Sequence, residues 1–186
     1  MTPLKQIRAI FDDSAIRVYQ AFRSEIALPA LAAQRFVPPF SMTRMTWIKP
    51  SFNWMMYRSG FASKEGQEVV LGIDIAREGF EWAVRNSVHS HFLGTELSEQ
   101  EWRAQLELKP VRVQWDPERD ALGLELKNTR AIQIGLSGEA VRRYVNDWIV
   151  RIEDVTAIAK TAQIAAINMQ VDSKLPCFLE RPYPDF

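Results

Sequence analysis

VRVQWDPERDALGLELKNTRAIQIGL, residues 111–136, is the stretch that decides the fold class of this chain. Apolar and polar residues alternate along it, which is typical of strands that bury one face. The segment DPERD predicts a turn, because Asp and Pro are turn formers. We therefore predict a three-stranded antiparallel meander. The side chains expected to face the core are Val111, Val113, Trp115, Leu122, Leu124, Leu126, Ile132, Ile134 and Leu136.

The segments on either side of this meander extend the fold to a single α+β domain. IRAIFDDSAIRVYQAF predicts two strands joined by a turn, and QEVVLGIDIA predicts another strand. Helical patterns occur among them, without the regular alternation of strand and helix that a parallel sheet requires. We expect one domain over residues 1–175, with a mostly antiparallel sheet and flanking helices. A proline-bearing C-terminal arm over 176–186 is expected to lie on the surface or on a partner.

Capping residues indicate where the helices begin and end. Ser24 is expected to cap the helix that follows it. Ser98, with Glu101 three residues later, forms the pattern of a capping box. Pro50 fits the first position of a helix and Gly60 fits the position just past its end. The segment PSFNWMMYRS is therefore predicted to be helical.

The charge balance excludes some classes of partner. Lys plus Arg and Asp plus Glu are equal at 23 each in 186 residues. A broad grip on duplex DNA requires a surplus of cations, so duplex DNA is not an expected partner.

No apolar run is long enough for a membrane span, and the charged N-terminus does not resemble a signal peptide. Cys177 is the only cysteine, which excludes an intrachain disulfide, and we expect a reduced, cytoplasmic setting.

The residues that usually form metal sites and nucleophilic triads are scarce. His89 and His91 are the only histidines, and a metal site requires further ligands, so no metal is predicted. Neither a phosphate-binding glycine loop nor a GxGxxG motif occurs. Any catalysis is therefore expected to use Arg, Lys, Tyr, Gln and carboxylate side chains.

The richest candidate for a ligand site is MTWIKPSFNWMMYRSGF, residues 45–61. Lys49 and Ser51 lie at the expected helix start, where free N–H groups attract anions, and Arg58 follows further along the helix. These three residues are predicted to hold a phosphate, and Trp54 and Tyr57 to shape a pocket for a base or ribose. Aromatic and Met residues at helical spacing are also typical of a core helix. We expect both: Phe52 and Met56 in the core, and the polar residues in a pocket.

Two further polar groups could complete such a pocket. Arg17 and Tyr19 share one face of a predicted strand, and they are predicted to line the opposite wall. An ordinary solvated hairpin with local ion pairs would show the same pattern. Gln133, near the outward row of Arg112 and Gln114, could read an amide or base edge, although exposed Gln on strands is common.

Long blocks of this sequence resemble a bacterial and fungal family known as a domain of unknown function. Its signature WIKPSFxWMMYRSG is present here, and the resemblance runs from about Ile7 to Thr156. The layout is also similar to that of ADP-ribosyltransferases, which bind NAD in a cleft. That similarity implies Arg17 or Gln20 at the Arg or His position of the first strand. It also implies Glu125 or Glu153 as the late catalytic glutamate.

Two hypotheses of different classes follow. In the first, the protein handles a small-molecule nucleotide, NAD or an RNA end as a metal-independent transferase. In the second, it is a non-catalytic binding and assembly module. Its aromatic stretch and C-terminal arm would then form a homo-oligomer that depends on Tyr183 and Phe186.

Overall fold

A mixed, mostly antiparallel sheet, a smaller antiparallel sheet and a short strand pair carry the fold. The structure is a computed structural model, and it describes residues 4–93 and 97–184. The strands are β1 (Leu4–Lys5), β2 (Arg8–Ala9), β3 (Ala15–Phe22), β4 (Thr46–Ile48), β5 (Val69–Ala76), β6 (Ser87–His89), β7 (Val111–Arg119), β8 (Glu125–Leu136), β9 (Ile149–Asp154) and β10 (Arg181–Pro182).

The helices pack around these strands. They are α1 (Ser24–Ala33), α2 (Phe52–Ser59), α3 (Arg77–Arg85), α4 (Glu99–Leu108), α5 (Glu139–Arg143) and α6 (Thr156–Ile167). A π-helical turn, Tyr144–Trp148, continues α5, and a 3-10 turn, Pro176–Phe178, precedes β10. Among the described residues, no helix has both the length and the apolar character of a membrane span.

The strand pairing confirms a single α+β domain with mostly antiparallel sheets. The larger sheet has the order β1-β8-β7-β6, and β4 pairs with β8 as well. The smaller sheet has the order β3-β5-β9 and is antiparallel throughout. Parallel pairing is limited to the short strands β1 and β6 in the described part of the chain. Backbone hydrogen bonds between Tyr19 and Lys49 connect the two sheets.

The predicted meander is instead one long hairpin. DPERD is not a turn, because β7 continues through it with a register shift between Pro117 and Glu118. The chain turns only after Arg119. There the carbonyl of Asp120 accepts a backbone hydrogen bond from Gly123, whose φ is +81°. Leu124 and Leu126 are 57% and 39% exposed, so the prediction that the leucines of ALGLEL face the core was wrong for both. This end of the hairpin extends beyond both core clusters.

Strands β3 and β5 contribute to a core on each of their two faces. Ile16 and Val18 of β3 pack in the larger cluster. Tyr19 of the same strand lies in a second cluster, on the opposite face. The members of this second cluster are Tyr19, Phe52, Met55, Met56, Ala62, Val70, Val155, Ala159, Ala162 and Leu175. Helix α2 is therefore a core helix, and Phe52 and Met56 are buried as predicted.

The capping predictions had mixed outcomes. Ser98 and Glu101 form the predicted capping box. Ser24 does not cap α1, because the helix begins at Ser24 itself and Arg23 is the capping residue. Pro50 lies outside α2, and the cap is Ser51, whose hydroxyl accepts a hydrogen bond from the Trp54 amide at 3.2 Å. Helix α2 thus begins two residues later than predicted.

The C-terminal arm lies against its own domain. Strand β10 pairs antiparallel with β2, and the Tyr183 amide donates to the Ile7 carbonyl at 2.8 Å. The ring of Tyr183 is buried in the larger core cluster. Asp185 and Phe186, the last residues of the predicted arm, lie outside the described residues.

Candidate active site at the start of helix α2

A carboxyl group of the chain itself occupies the first turn of α2. The Glu180 side chain, in the C-terminal arm, accepts a hydrogen bond from the Phe52 amide at 2.7 Å. This amide is one of the free donors that every helix start presents. The helix start where a phosphate was predicted is thus occupied by a carboxyl group from a residue 128 positions away.

A second carboxyl group lies beside the first. Glu118, at the end of β7, accepts hydrogen bonds at 2.8 Å from the Ser51 hydroxyl and from the Arg119 amide. Glu118 and Glu180 are only 7% and 8% exposed. Two carboxyl groups with so little exposure are uncommon in proteins unless they are paired or functional.

The surroundings of these two groups favour their protonated forms. Burial raises the pKa of Glu118, and the hydrogen bonds from Arg119 and Ser51 oppose that rise. Burial also raises the pKa of Glu180, to about 8, and the charge of Glu118 adds to the increase. The hydrogen bond from Phe52 and the cation of Arg8 act in the opposite direction on the pKa of Glu180. Like charges held close together cannot both ionise easily.

An open pocket of about 310 Å³ gives access to both carboxyl groups. Its polar walls come from α2, β2, β7 and the arm. The lining side chains that carry its chemistry are Arg8, Asn53, Glu118, Arg119, Cys177 and Glu180. The pocket therefore combines two arginines and two buried carboxyl groups with the carboxyl group of Asp120 and the amides of Gln6 and Asn53.

The two arginines are held in place by the chain around them. Arg8 donates to the Glu180 carbonyl at 2.7 Å, which ties β2 to the arm. The Arg119 guanidinium lies 3.7 Å from the centroid of the Tyr57 ring. Its Nε is buried and has no hydrogen-bond partner within residues 4–93 and 97–184. Tyr57 holds the guanidinium of Arg119 by stacking.

Two more side chains have pKa values that respond to Glu180. Burial raises the pKa of Tyr19, and Glu180 raises it further. The Tyr19 hydroxyl is fully buried and finds no hydrogen-bond partner in the described part of the chain. Burial and Glu180 also raise the pKa of the Cys177 thiol to about 11. Cys177 is therefore a neutral thiol at physiological pH and a poor nucleophile.

Comparison with known families adds one finding. The model of a family described as "Domain of unknown function (DUF4291)" matches residues 6–183. The chain belongs to this family. The matched region includes both pocket arginines and both buried glutamates, and it extends beyond the predicted Ile7–Thr156 range at its C-terminal side. A search of curated proteins found no match.

Four of the predicted site residues of this DUF4291 chain, Lys49, Trp54, Arg58 and Gln133, are not among the residues that line the pocket. Lys49 is 6% exposed, and its Nζ donates to the Trp47 carbonyl at 3.1 Å and lies 5.8 Å from the Trp54 ring centroid. Burial, then Arg58, lowers the pKa of Lys49 to about 7, and Asp116 opposes this shift. The fourth, Gln133, donates to Asp116 at 2.7 Å.

Arg17 lies in a third place. It donates to both carboxylate oxygens of Asp74, at 2.5 and 2.7 Å, and to Glu153 at 3.0 Å. The hydrogen bond with Asp74 raises the pKa of Arg17. Arg17 and Tyr19 do share a strand face, but Arg17 lines a separate pocket of about 450 Å³ with Asp74.

The other residues implied by the ADP-ribosyltransferase similarity have different surroundings. Gln20 is buried, donates to the Thr46 hydroxyl at 2.6 Å and accepts from the Tyr144 hydroxyl at 2.7 Å. Glu153 is bonded to Arg17. Glu125 lies at the hairpin end, 3.9 Å from Arg119. His89 and His91 belong to no group of three or more potential metal ligands among the described residues.

Sequence reasoning missed four residues that line the pocket: Arg8, Glu118, Arg119 and Glu180. Glu118 and Arg119 were assigned to a turn, and Glu180 to a surface arm. Ser51 and Tyr57, which were predicted, are not among the lining residues and contact the pocket residues Glu118 and Arg119 from behind. The spatial partners are 67 and 128 positions apart in sequence, and no local pattern could have brought them together.

Replacing Lys49 with methionine tests whether its buried amine lowers the free energy of unfolding. The folded pKa of about 7 lies below the unfolded value of 10.5, so the cation is disfavoured in the folded protein. This contribution to stability is complete above pH 10.5 and is lost as the pH falls through 7. We expect Lys49→Met to raise the free energy of unfolding at pH 6 by about 1–2 kcal/mol. The gain should shrink towards pH 9, as measured by urea denaturation. An equal effect at both pH values would contradict this assignment.

Proposed function

We propose that this protein binds a nucleotide, with NAD as the first candidate, in the pocket at the start of α2, and transfers a group from it. One observation carries the proposal. Two arginines and two buried carboxyl groups line the same open pocket. Buried titratable groups with shifted pKa values that face a pocket are typical of functional sites.

The arginines supply the recognition of phosphate. A guanidinium presents several donors in a planar fork, which matches phosphate oxygens. Arg8 and Arg119 both line the pocket. Asn53 lines it too, and an amide can pair with a base edge.

The two carboxyl groups have environments suited to different roles. Glu118 accepts two hydrogen bonds on one oxygen, which stabilises its carboxylate form. Glu180, with a pKa near 8, retains its proton at neutral pH. In a group transfer, the acceptor forms a bond to the transferred group while the bond to the leaving group breaks. Glu118 would take the acceptor's proton. Nicotinamide leaves NAD as a neutral molecule and takes no proton, whereas an anionic leaving group, as in phosphoryl or nucleotidyl transfer, would take one from Glu180.

A ligand screen with a matched pair of variants tests this function. Wild-type protein is titrated with NAD, ATP, GTP and short RNAs in a thermal-shift assay, and hits are measured by calorimetry. Arg119→Gln removes a guanidinium that stacks on Tyr57. Arg143→Gln removes one that stacks on Trp82 at 4.6 Å, outside the pocket. We expect Arg119→Gln to weaken the best ligand about 10- to 100-fold, and Arg143→Gln to bind it as wild type does. The absence of any shift with every nucleotide at millimolar concentration would refute the proposal.

The assembly hypothesis relied on Tyr183 and the aromatic stretch as an exposed interface. Tyr183 is packed inside its own domain, and Phe52, Met55 and Met56 form a core cluster. These contacts favour the pocket, rather than an assembly interface, as the functional site.

A further inference from the structure

A second, larger groove of about 970 Å³ runs between β1, α3 and the C-terminal arm. Every charged side chain among its described lining residues is a cation: Lys5, Arg85 and Arg181. Lys5 and Arg181 are exposed. Arg85 is paired with Glu81 at 3.5 Å, so the cations that the groove offers to an anionic ligand are Lys5 and Arg181.

Aromatic side chains lie among these cations. Phe11 and Trp115 both line the groove and are half-buried. The Arg181 guanidinium lies 3.8 Å from the centroid of the Phe11 ring and donates to the Phe11 carbonyl at 3.0 Å. The Phe11 ring also packs against Tyr183, whose ring meets it edge-on with the two centroids 4.8 Å apart. Arg77 also lies over the Phe11 ring, 5.4 Å from its centroid, so the exposed planar guanidinium of Arg181 is the surface at this end of the groove on which a base could stack.

The groove and the proposed active site share a wall. Leu4 and Gln6 line both cavities. Arg8 lines the pocket, and β2 and β10 place it next to Arg181 and Pro182, which line the groove. A ligand with a repeating anionic backbone could therefore extend from one cavity into the other.

We infer that the substrate of this protein is the end of a single-stranded oligonucleotide, whose terminal nucleotide enters the pocket while its neighbours lie in the groove. The inference rests on the proposed function for its catalytic half. Cations that follow a backbone and rings on which bases stack are the two elements of single-strand recognition. A duplex would need a wider basic face, which the balanced charge of the chain does not supply.

Binding of fluorescent oligonucleotides to the full chain tests the groove. Single-stranded RNA and DNA of about eight nucleotides, the matching duplex and an acidic peptide are compared by anisotropy. The test variant is Lys5→Glu with Arg181→Glu. The control is Arg35→Glu with Arg44→Glu, which makes the same charge change at exposed arginines outside the groove.

We expect single strands to bind wild type and the control alike, and the test variant to bind at least about 10-fold more weakly. Its salt slope should be smaller by about 1.4, because each phosphate contact on a single strand contributes about 0.7. Equal weakening in both variants, a preference for the duplex or the acidic peptide, or no binding to wild type would overturn the inference.

The outcome is separable from that of the proposed function. If NAD or ATP binds and Arg119→Gln weakens that binding, while no oligonucleotide binds, the proposed function is supported and the inference about the groove is refuted. If single strands bind through Lys5 and Arg181 while no mononucleotide binds, the groove is a binding surface and the proposed transfer falls.

Discussion

Replacing Tyr183 with alanine is expected to lower the free energy of unfolding by about 3–5 kcal/mol, the usual cost of deleting a buried aromatic ring. The Tyr183 ring is 6% exposed and meets Phe11 and Phe80 edge-on at 4.8 and 5.4 Å. Its hydroxyl accepts from Arg77 at 2.8 Å and donates to Glu81 at 2.9 Å. Deleting the ring leaves a cavity in the larger core and removes the anchor of the arm. Urea denaturation followed by fluorescence measures the change.

The control separates the ring from the hydroxyl. Tyr183→Phe keeps the ring contacts and loses two hydrogen bonds, so its expected cost is only about 1 kcal/mol. Because the arm also carries Glu180, Tyr183→Ala should weaken nucleotide binding more than Tyr183→Phe does. If the alanine variant were as stable as wild type but had lost an oligomer, Tyr183 would be an interface residue instead.

The second large effect is a dependence of stability on pH that Glu180 causes. Its pKa is about 8 in the folded protein and 4.5 in the reference state, so the folded form holds the proton more tightly. The resulting stability is complete below pH 4.5 and is lost as the pH rises through 8. We expect wild type to lose about 2–3 kcal/mol of its free energy of unfolding between pH 5 and pH 7. Glu118, whose pKa is also raised, acts in the same direction.

Glu180→Gln is the informative variant, because glutamine retains an oxygen for the Phe52 amide and does not titrate. Its stability should fall less steeply between pH 5 and pH 7, by about 1 kcal/mol per pH unit. Glu25→Gln makes the same change at an exposed glutamate of α1 and should keep the wild-type slope. Identical slopes for all three proteins would show that Glu180 is ionised in the folded state at neutral pH.

Local patterns predicted the parts of the fold that depend on local physics. Alternation correctly identified β3 and β5 as strands, because one face of each strand packs in the larger core. The pattern at Ser98 gave the capping box for the same reason. Local propensity gave the wrong prediction at DPERD, where turn-forming residues lie inside a strand. There the long antiparallel pairing with β8 overrides local propensity.

In the candidate site too, local sequence patterns predicted some features, and others depend on tertiary packing. Helical periodicity placed Phe52 and Met56 in the core and Ser51 at the helix start. The expectation that an anion binds there follows from the orphan N–H groups of any helix. That Glu180 supplies a carboxyl group, and that Lys49 is buried under Trp54 instead of facing the pocket, are consequences of tertiary packing. Neither is encoded in the spacing of neighbouring residues.

The most direct test of the proposed function is a titration of isotope-labelled protein with NAD, followed by the backbone amide resonances. The Phe52 and Arg119 amides donate to the two buried carboxyl groups, so a ligand in the pocket must change their surroundings. Saturable shifts centred on these two amides are predicted, and they should be lost in Arg119→Gln. Shifts confined to the Arg17 and Asp74 pocket, or no shifts with NAD or any other nucleotide, would contradict a nucleotide site at the start of α2.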